Sequence, residues 1–165
     1  QLRKHGVQQV CPLCRTALPA GSEKLFEDAT RLYVALFHQV GGGDRAMQSL
    51  TDSQQGKMAG VIDMYTSAAN QGHRVAQLNL GILYDNGEGV AQDSQKAAQW
   101  FHKASDQGHA SAQCNLGIMY KDGEGVTKDL QKAAQWLRKA AEQGVAVAQV
   151  NLGGMYEYGK GVAQD

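Results

Sequence analysis

Ala76–Ser111 reads AQLNLGILYDNGEGVAQDSQKAAQWFHKASDQGHAS, and Ala112–Val147 reads AQCNLGIMYKDGEGVTKDLQKAAQWLRKAAEQGVAV. Each block is 36 residues long, and the two agree at 23 positions. A third copy opens at Ala148 (AQVNLGGMYEYGKGVAQD) and reaches half its length at Asp165. A fixed period of this size marks a repeat architecture: one unit is too small to bury its own apolar face, so neighbours stack to do it. The repetition also sorts residues. A side chain written into every copy is expected to build the stack, and one that differs between copies is the better candidate for a specific function.

Each block divides into two helices. Ala76, Leu80, Leu83 and Tyr84 fall at i, i+4, i+7 and i+8, one face of an amphipathic helix. Their counterparts are Ala112, Leu116, Met119 and Tyr120, then Ala148, Leu152, Met155 and Tyr156. The helix is expected to stop at Gly87, Gly123 and Gly159, where glycine tolerates positive φ. A second helix is expected from Asp93 and from Asp129, because an aspartate carboxylate accepts from a free N–H of the first turn. Its apolar stripe is Ala97, Phe101 and Ala104, then Ala133, Leu137 and Ala140, widened by Trp100 and Trp136. Gly81, Gly117 and Gly153 are small where two helices must cross closely. The fold class is therefore all-α, an α-solenoid of helix pairs.

The pattern resembles the Sel-1-like repeat, a relative of the tetratricopeptide repeat. The resemblance is carried by A-Q-x-N-L-G-x-x-Y, G-x-G-V-x-x-D and K-A-A-x-W-x-x-K-A-A-x-Q-G, which stand at Ala112–Tyr120, Gly123–Asp129 and Lys132–Gly144. It implies a right-handed superhelix and a non-enzymatic role as a protein-binding scaffold or adaptor. Some secreted relatives bind β-lactams and carry a disulfide in each repeat; this chain lacks the paired cysteines, so that activity is not carried over.

The rest of the chain reads as a cap. Residues 22–72 are expected to form an N-terminal helical cap and a degenerate first repeat, ahead of repeats over 73–165. Ser22 is placed to cap a helix over Glu23–Gln39 with a stripe of Leu25, Ala29, Leu32, Leu36 and Val40, broadened by Phe26, Tyr33 and Phe37. Gly41-Gly42-Gly43 ends it, and a short helix is expected between Asp44 and Leu50. Thr51 with Gln54 makes a capping box for a helix bearing Met58, Val61, Ile62, Tyr65, Ala68 and Ala69.

Residues 1–21 carry Cys11-Pro12-Leu13-Cys14-Arg15. Two cysteines at this spacing can grip one metal ion, but a structural zinc site needs four ligands, and the chain adds at most His5 to the pair. The stretch V-C-P-L-C-R-T-A-L-P resembles the last ligand pair of a RING finger, whose other ligands would lie upstream of Gln1. Zinc is expected at Cys11 and Cys14 only with those ligands; otherwise the chain holds no cofactor. The resemblance makes Arg15 similar to the basic residue that bridges ubiquitin and its carrier enzyme. An unliganded turn and a redox pair remain as alternatives, the latter without the βαβ unit it needs.

Bulk properties narrow the function further. Lys+Arg and Asp+Glu are 16 each, and no clustered basic surface speaks for nucleic acid. No apolar run suits a membrane span, and no small-molecule substrate is expected. Three cysteines without a framework favour a reducing compartment, taken as the cytoplasm. Gly87-x-Gly89 follows a helix rather than a strand, so it reads as a turn and not a phosphate loop. His73 and His109 give way to Val145 in the next copy, which argues against ligand or base roles.

Function is then sought on the concave face. Aligning Leu80 and Tyr84 with the buried leucine and tyrosine of the tetratricopeptide first helix puts Val75, Leu78, Ile82, Asp85 and Asn86 in the groove. The row continues through Ser111, Cys114, Ile118, Lys121 and Asp122, then Val147, Val150, Gly154, Glu157 and Tyr158. Within the first helix these include most positions where the copies disagree. The expected partner is a protein or peptide. The alternative is substrate recognition for a RING-type ubiquitin ligase.

Overall fold

The computed structural model describes residues 21–41, 50–159 and 161. The Cys11–Cys14 motif and the short helix expected between Asp44 and Leu50 lie outside the described residues, apart from Leu50 itself, which is not helical. Among the described residues seven helices follow in order: α1 (Ser22–Gln39), α2 (Asp52–Asn70), α3 (Arg74–Asn86), α4 (Ser94–Asp106), α5 (Ala110–Asp122), α6 (Leu130–Glu142) and α7 (Ala146–Glu157). Among the described residues there is no strand, and each helix packs on the next in sequence. The result is an α-solenoid. None of the described helices is long and apolar enough to cross a membrane.

The helix signals act as the residues dictate. Asp93 and Asp129 accept the backbone N–H of Lys96 and Lys132 at 2.9 and 3.0 Å. Gly87 caps α3 at φ 70, and its N–H and that of Glu88 both turn back to the Leu83 carbonyl. Thr51 N–H donates to Gln54 Oε1 at 2.9 Å, forming the expected capping box at α2.

Packing explains the small residues. A Cβ on Gly81 would strike the Phe101 ring, and one on Gly117 would stand 2.7 Å from Leu137 Cγ. Gly125 lies so close to the Ser94 carbonyl at the start of α4 that any side chain would collide with backbone. Leu80, Phe101, Leu116 and Leu137 are fully buried around these crossings. Trp100 and Trp136 pack at the edges of the apolar clusters, with Lys103 and Lys139 over their rings at 3.9 and 4.3 Å.

A glutamine relay ties the helices together. Gln107 Nε2 donates to Gln77 Oε1 at 2.7 Å, and Gln77 Nε2 donates to the Ala69 carbonyl at 2.9 Å. Gln143, Gln113 and the Ser105 carbonyl repeat the arrangement one unit later, at 2.7 and 3.3 Å. Gln77 and Gln113 are buried, so these bonds satisfy amides that would otherwise be costly.

The cap departs from expectation in two places. Gly21, in the left-handed region, precedes the first helical residue, and Ser22 lies inside α1, fully buried, rather than capping it. Leu32 is 50% exposed, so it leaves the expected stripe. The buried side is set by Ala29 and Leu36, with Phe26, Tyr33 and Phe37 partly buried beside them. Polar latches add to the apolar seat. Tyr33 donates to Glu88 Oε2 at 2.7 Å, and the Thr30 and Tyr65 hydroxyls lie 3.1 Å apart.

Candidate partner-binding groove

The solvent-facing stripe of α3 runs through Val75, Asn79, Ile82 and Asn86, at i, i+4, i+7 and i+11. On α5 it is Ser111, Asn115, Ile118 and Asp122, and on α7 Val147, Asn151, Gly154 and Tyr158. Most of the residues expected in the groove lie on or beside these stripes. Val75, Ile82, Asp85, Ile118, Lys121 and Gly154 are half-buried; Asn86, Ser111, Asp122, Val147, Val150, Glu157 and Tyr158 are exposed.

Two expectations are corrected. Leu78 and Cys114 are 9% and 4% exposed, so neither offers a surface to a partner. Leu78 sits in a cluster with Ala112, Leu116 and Met119 of α5, and Cys114 in one with Ala148 and Met155 of α7. Their counterpart Val150 is 76% exposed, because no described helix packs beyond α7. This repeat position is therefore an inter-repeat contact. Burial also pushes the Cys114 thiol up, against a smaller opposing effect of Lys121, which disfavours the reactive thiolate.

Lys121, Asp122, Val150, Gly154 and Tyr158, placed in the groove by sequence, line one cleft of about 420 Å³ together with Asn151. Lys121 Nζ donates to Asn151 Oδ1 at 2.7 Å and stands 3.8 Å from Asp122. At the other end of the row, burial and then the charge of Glu124 raise the Asp85 carboxyl above its ordinary range. No described cation pairs with Asp85 or Glu124.

The asparagines at the centre of each stripe were missed by reasoning from variation between copies. Asn79, Asn115 and Asn151 recur in all three, which classed them with the packing residues. Only their half-exposed position separates them from Gln77 and Gln113.

Among the described residues no three His, Cys, Asp or Glu side chains gather as metal ligands. His73 is spent on structure. Its Nδ1 accepts the Ala76 N–H at 3.1 Å, its Nε2 lies 3.1 Å from Glu23 Oε2, and its ring stacks on Phe26 at 4.3 Å. Burial lowers its pKa despite Glu23.

Comparison with known proteins agrees with this geometry. Residues 74–109, 110–145 and 146–165 each match the Sel1 repeat. A Sel1 repeat protein from Oxalobacter formigenes is 42% identical, with 61% of this chain and 76% of that one covered and a TM-score of 0.56. A protective antigen of uropathogenic Escherichia coli with an SLR fold, c5321, is 33% identical at a TM-score of 0.65, over 88% of this chain and 30% of that one. Helicobacter pylori cysteine rich protein B shares the fold at 24% identity and a TM-score of 0.55, over 81% and 98%. No curated protein sequence matches the chain. The three consecutive matches cover more than half of the residues and coincide with α3–α7, so the chain belongs to the Sel1-repeat family.

Proposed function

We propose that this chain is a non-enzymatic adaptor that holds a protein or peptide partner along the stripes of α3, α5 and α7. Repeat proteins of this family are generally protein-interaction scaffolds. The observation that carries the reading is that Lys121, Asp122, Gly154 and Tyr158, chosen from the sequence, line one cleft of about 420 Å³ beside α7, with Ile82 and Ile118 half-buried on the stripes of α3 and α5. Half-buried apolar side chains flanked by polar ones are the anatomy of an interface core and its rim.

The test replaces Ile82, Ile118 and Tyr158 by glutamate and compares capture of proteins from a cell extract. Loss of specific partners with unchanged helix content is expected. Unchanged capture overturns the groove.

A second reading, that the groove selects substrates for a RING-type ubiquitin ligase, is favoured by Cys11-Pro12-Leu13-Cys14-Arg15 alone. It requires six further zinc ligands at RING spacing ahead of Gln1 and zinc bound by the longer polypeptide. Metal analysis of that polypeptide without zinc ends it.

A further inference from the structure

The cleft beside α7 is made where the copies of the repeat differ. Gly154 stands where the first two copies carry Ile82 and Ile118, both half-buried. A Cβ on Gly154 meets nothing within 4 Å, so the absent isoleucine leaves open space in the cleft of about 420 Å³. A glycine inside a helix is destabilising where nothing crosses it, so stacking gives no account of this one. The charged lining has changed as well. Lys121 replaces Asp85, and Lys128 replaces Gln92. Together with Asp122 they set two cations against one carboxylate. Lys121 is already engaged, by Asn151 at 2.7 Å and by Asp122 at 3.8 Å. Lys128 makes no hydrogen bond or ion pair with any described residue. The remaining lining is largely apolar, with Leu130, Val150 and Met155.

We propose that this cleft seats an acidic side chain of a partner peptide against Lys128, with the apolar residue beside it on Leu130, Val150 and Met155. This rests on the groove reading above and names the chemistry that the groove selects. Charge complementarity chooses the occupant. An incoming carboxylate gains a charge-assisted hydrogen bond from the unpaired ammonium and brings the cleft to two charges of each sign. A lysine or arginine would meet two cations, with Asp122 already engaged. Volume calls for the apolar neighbour. A water takes about 30 Å³ of liquid, so a carboxylate alone leaves most of the cleft empty, along a lining that favours apolar contact. The preceding repeat supplies the contrast. There Gln92 Nε2 donates to the Asp85 carbonyl at 2.7 Å, no lysine stands at either position, and Ile118 is present where Gly154 leaves room. Space and positive charge thus appear together, and only at the later interval.

A random dodecapeptide phage library selected on the whole chain supplies the probe. The recovered peptide is then made with an amidated C-terminus, so that its only carboxylates are side chains, and its affinity is measured. Recovered peptides should share an Asp or Glu next to an apolar residue. Gly154→Ile refills the space with the side chain that the other copies carry. It should weaken binding at least about tenfold without lowering the urea midpoint, because it replaces a helix glycine. Lys128→Gln should weaken binding about three- to fivefold. Changing the peptide's acidic residue to its amide should cost the parent chain the same factor and cost Lys128→Gln nothing further. Recovery of no peptide, recovery of peptides without an acidic residue, or parental affinity in either variant overturns the assignment. If Gly154→Ile lowers the urea midpoint, the cycle between Lys128 and the peptide's acidic residue decides alone. If glutamate at Ile82 and Ile118 abolishes binding while Gly154→Ile and Lys128→Gln keep it, the groove stands and the acidic seat falls. Retention by all of these variants removes the groove reading itself.

Discussion

The first and third copies of the repeat carry nearly the same residues in different surroundings. Leu80, between α2 and α4, is fully buried; Leu152, its counterpart on α7, is only partly covered. Gln77 is buried and doubly bonded, while Gln149 is exposed and reaches only the Ala141 carbonyl at 3.3 Å. Glu88 is 4% exposed beneath Tyr33 of α1, whereas Glu124, one unit on, is exposed. What a repeat position does depends on which helix lies against it. Identical letters are a core in one copy and a surface in another, as expected of a nearest-neighbour architecture.

The sharpest way to break that comparison is to truncate the same leucine twice. Leu116→Ala, at a fully buried site between α4 and α6, should cost about 2–5 kcal/mol. Leu152→Ala, with its neighbours on one side only, should cost less than about 1.5 kcal/mol. Urea unfolding of both variants measures the difference. Equal losses would mean that α7 is held as firmly as α5.

A second pair reverses the sign. A Cβ on Gly117 would stand 2.7 Å from Leu137 Cγ and 3.1 Å from the Leu137 backbone nitrogen, so Gly117→Ala should destabilise by about 1–3 kcal/mol. A Cβ on Gly153 meets nothing within 4 Å. Gly153→Ala should therefore stabilise by about 0.5–1 kcal/mol through helix propensity alone. Thermal midpoints moving in opposite directions are expected; a loss in both would put an unseen neighbour against α7.

The same contrast explains what could be read from the sequence. Helix boundaries within the repeats were legible because Asp93, Asp129, Gly87 and Gly123 act through local chemistry. The crossings at Gly81 and Gly117 were legible because repetition marks them, whereas the one expected at Gly153 is not formed, since a Cβ there meets nothing within 4 Å. On α1 no second copy arbitrates, and Leu32 and Leu36 fit an apolar stripe equally well by spacing; only the seat on α2 and α3 decides between them. Leu78 and Cys114 were misplaced because the tetratricopeptide alignment gives a helix face, while burial depends on how far the next repeat slides across that face. The asparagine row was hidden for the opposite reason. Recurrence alone does not separate a buried amide from an exposed one.

The two histidines at the helix starts give the subtlest form of the comparison. His73 has a bond for each ring nitrogen, to the Ala76 N–H and to Glu23. His109 occupies the same place one repeat later, makes no side-chain cap, and leaves its buried Nδ1 without a partner among the described residues. The third copy has Val145 there. At pH 7.5 His109→Val should therefore stabilise by about 1 kcal/mol, by removing an unsatisfied buried group, and His73→Val should destabilise by about 1 kcal/mol through loss of a cap. Acid adds a second reading of the same pair. Burial lowers both pKa values below the ordinary 6.5, joined at His109 by the charge of Arg74. The unfolded chain then takes up protons first, so stability is fully present above pH 6.5 and falls as the pH drops from there through the lowered folded pKa. Urea midpoints recorded from pH 7.5 to pH 5 should slope less steeply in His109→Val than in the parent chain. An unchanged slope would mean that His109 takes its proton as readily in the stack as in the unfolded chain.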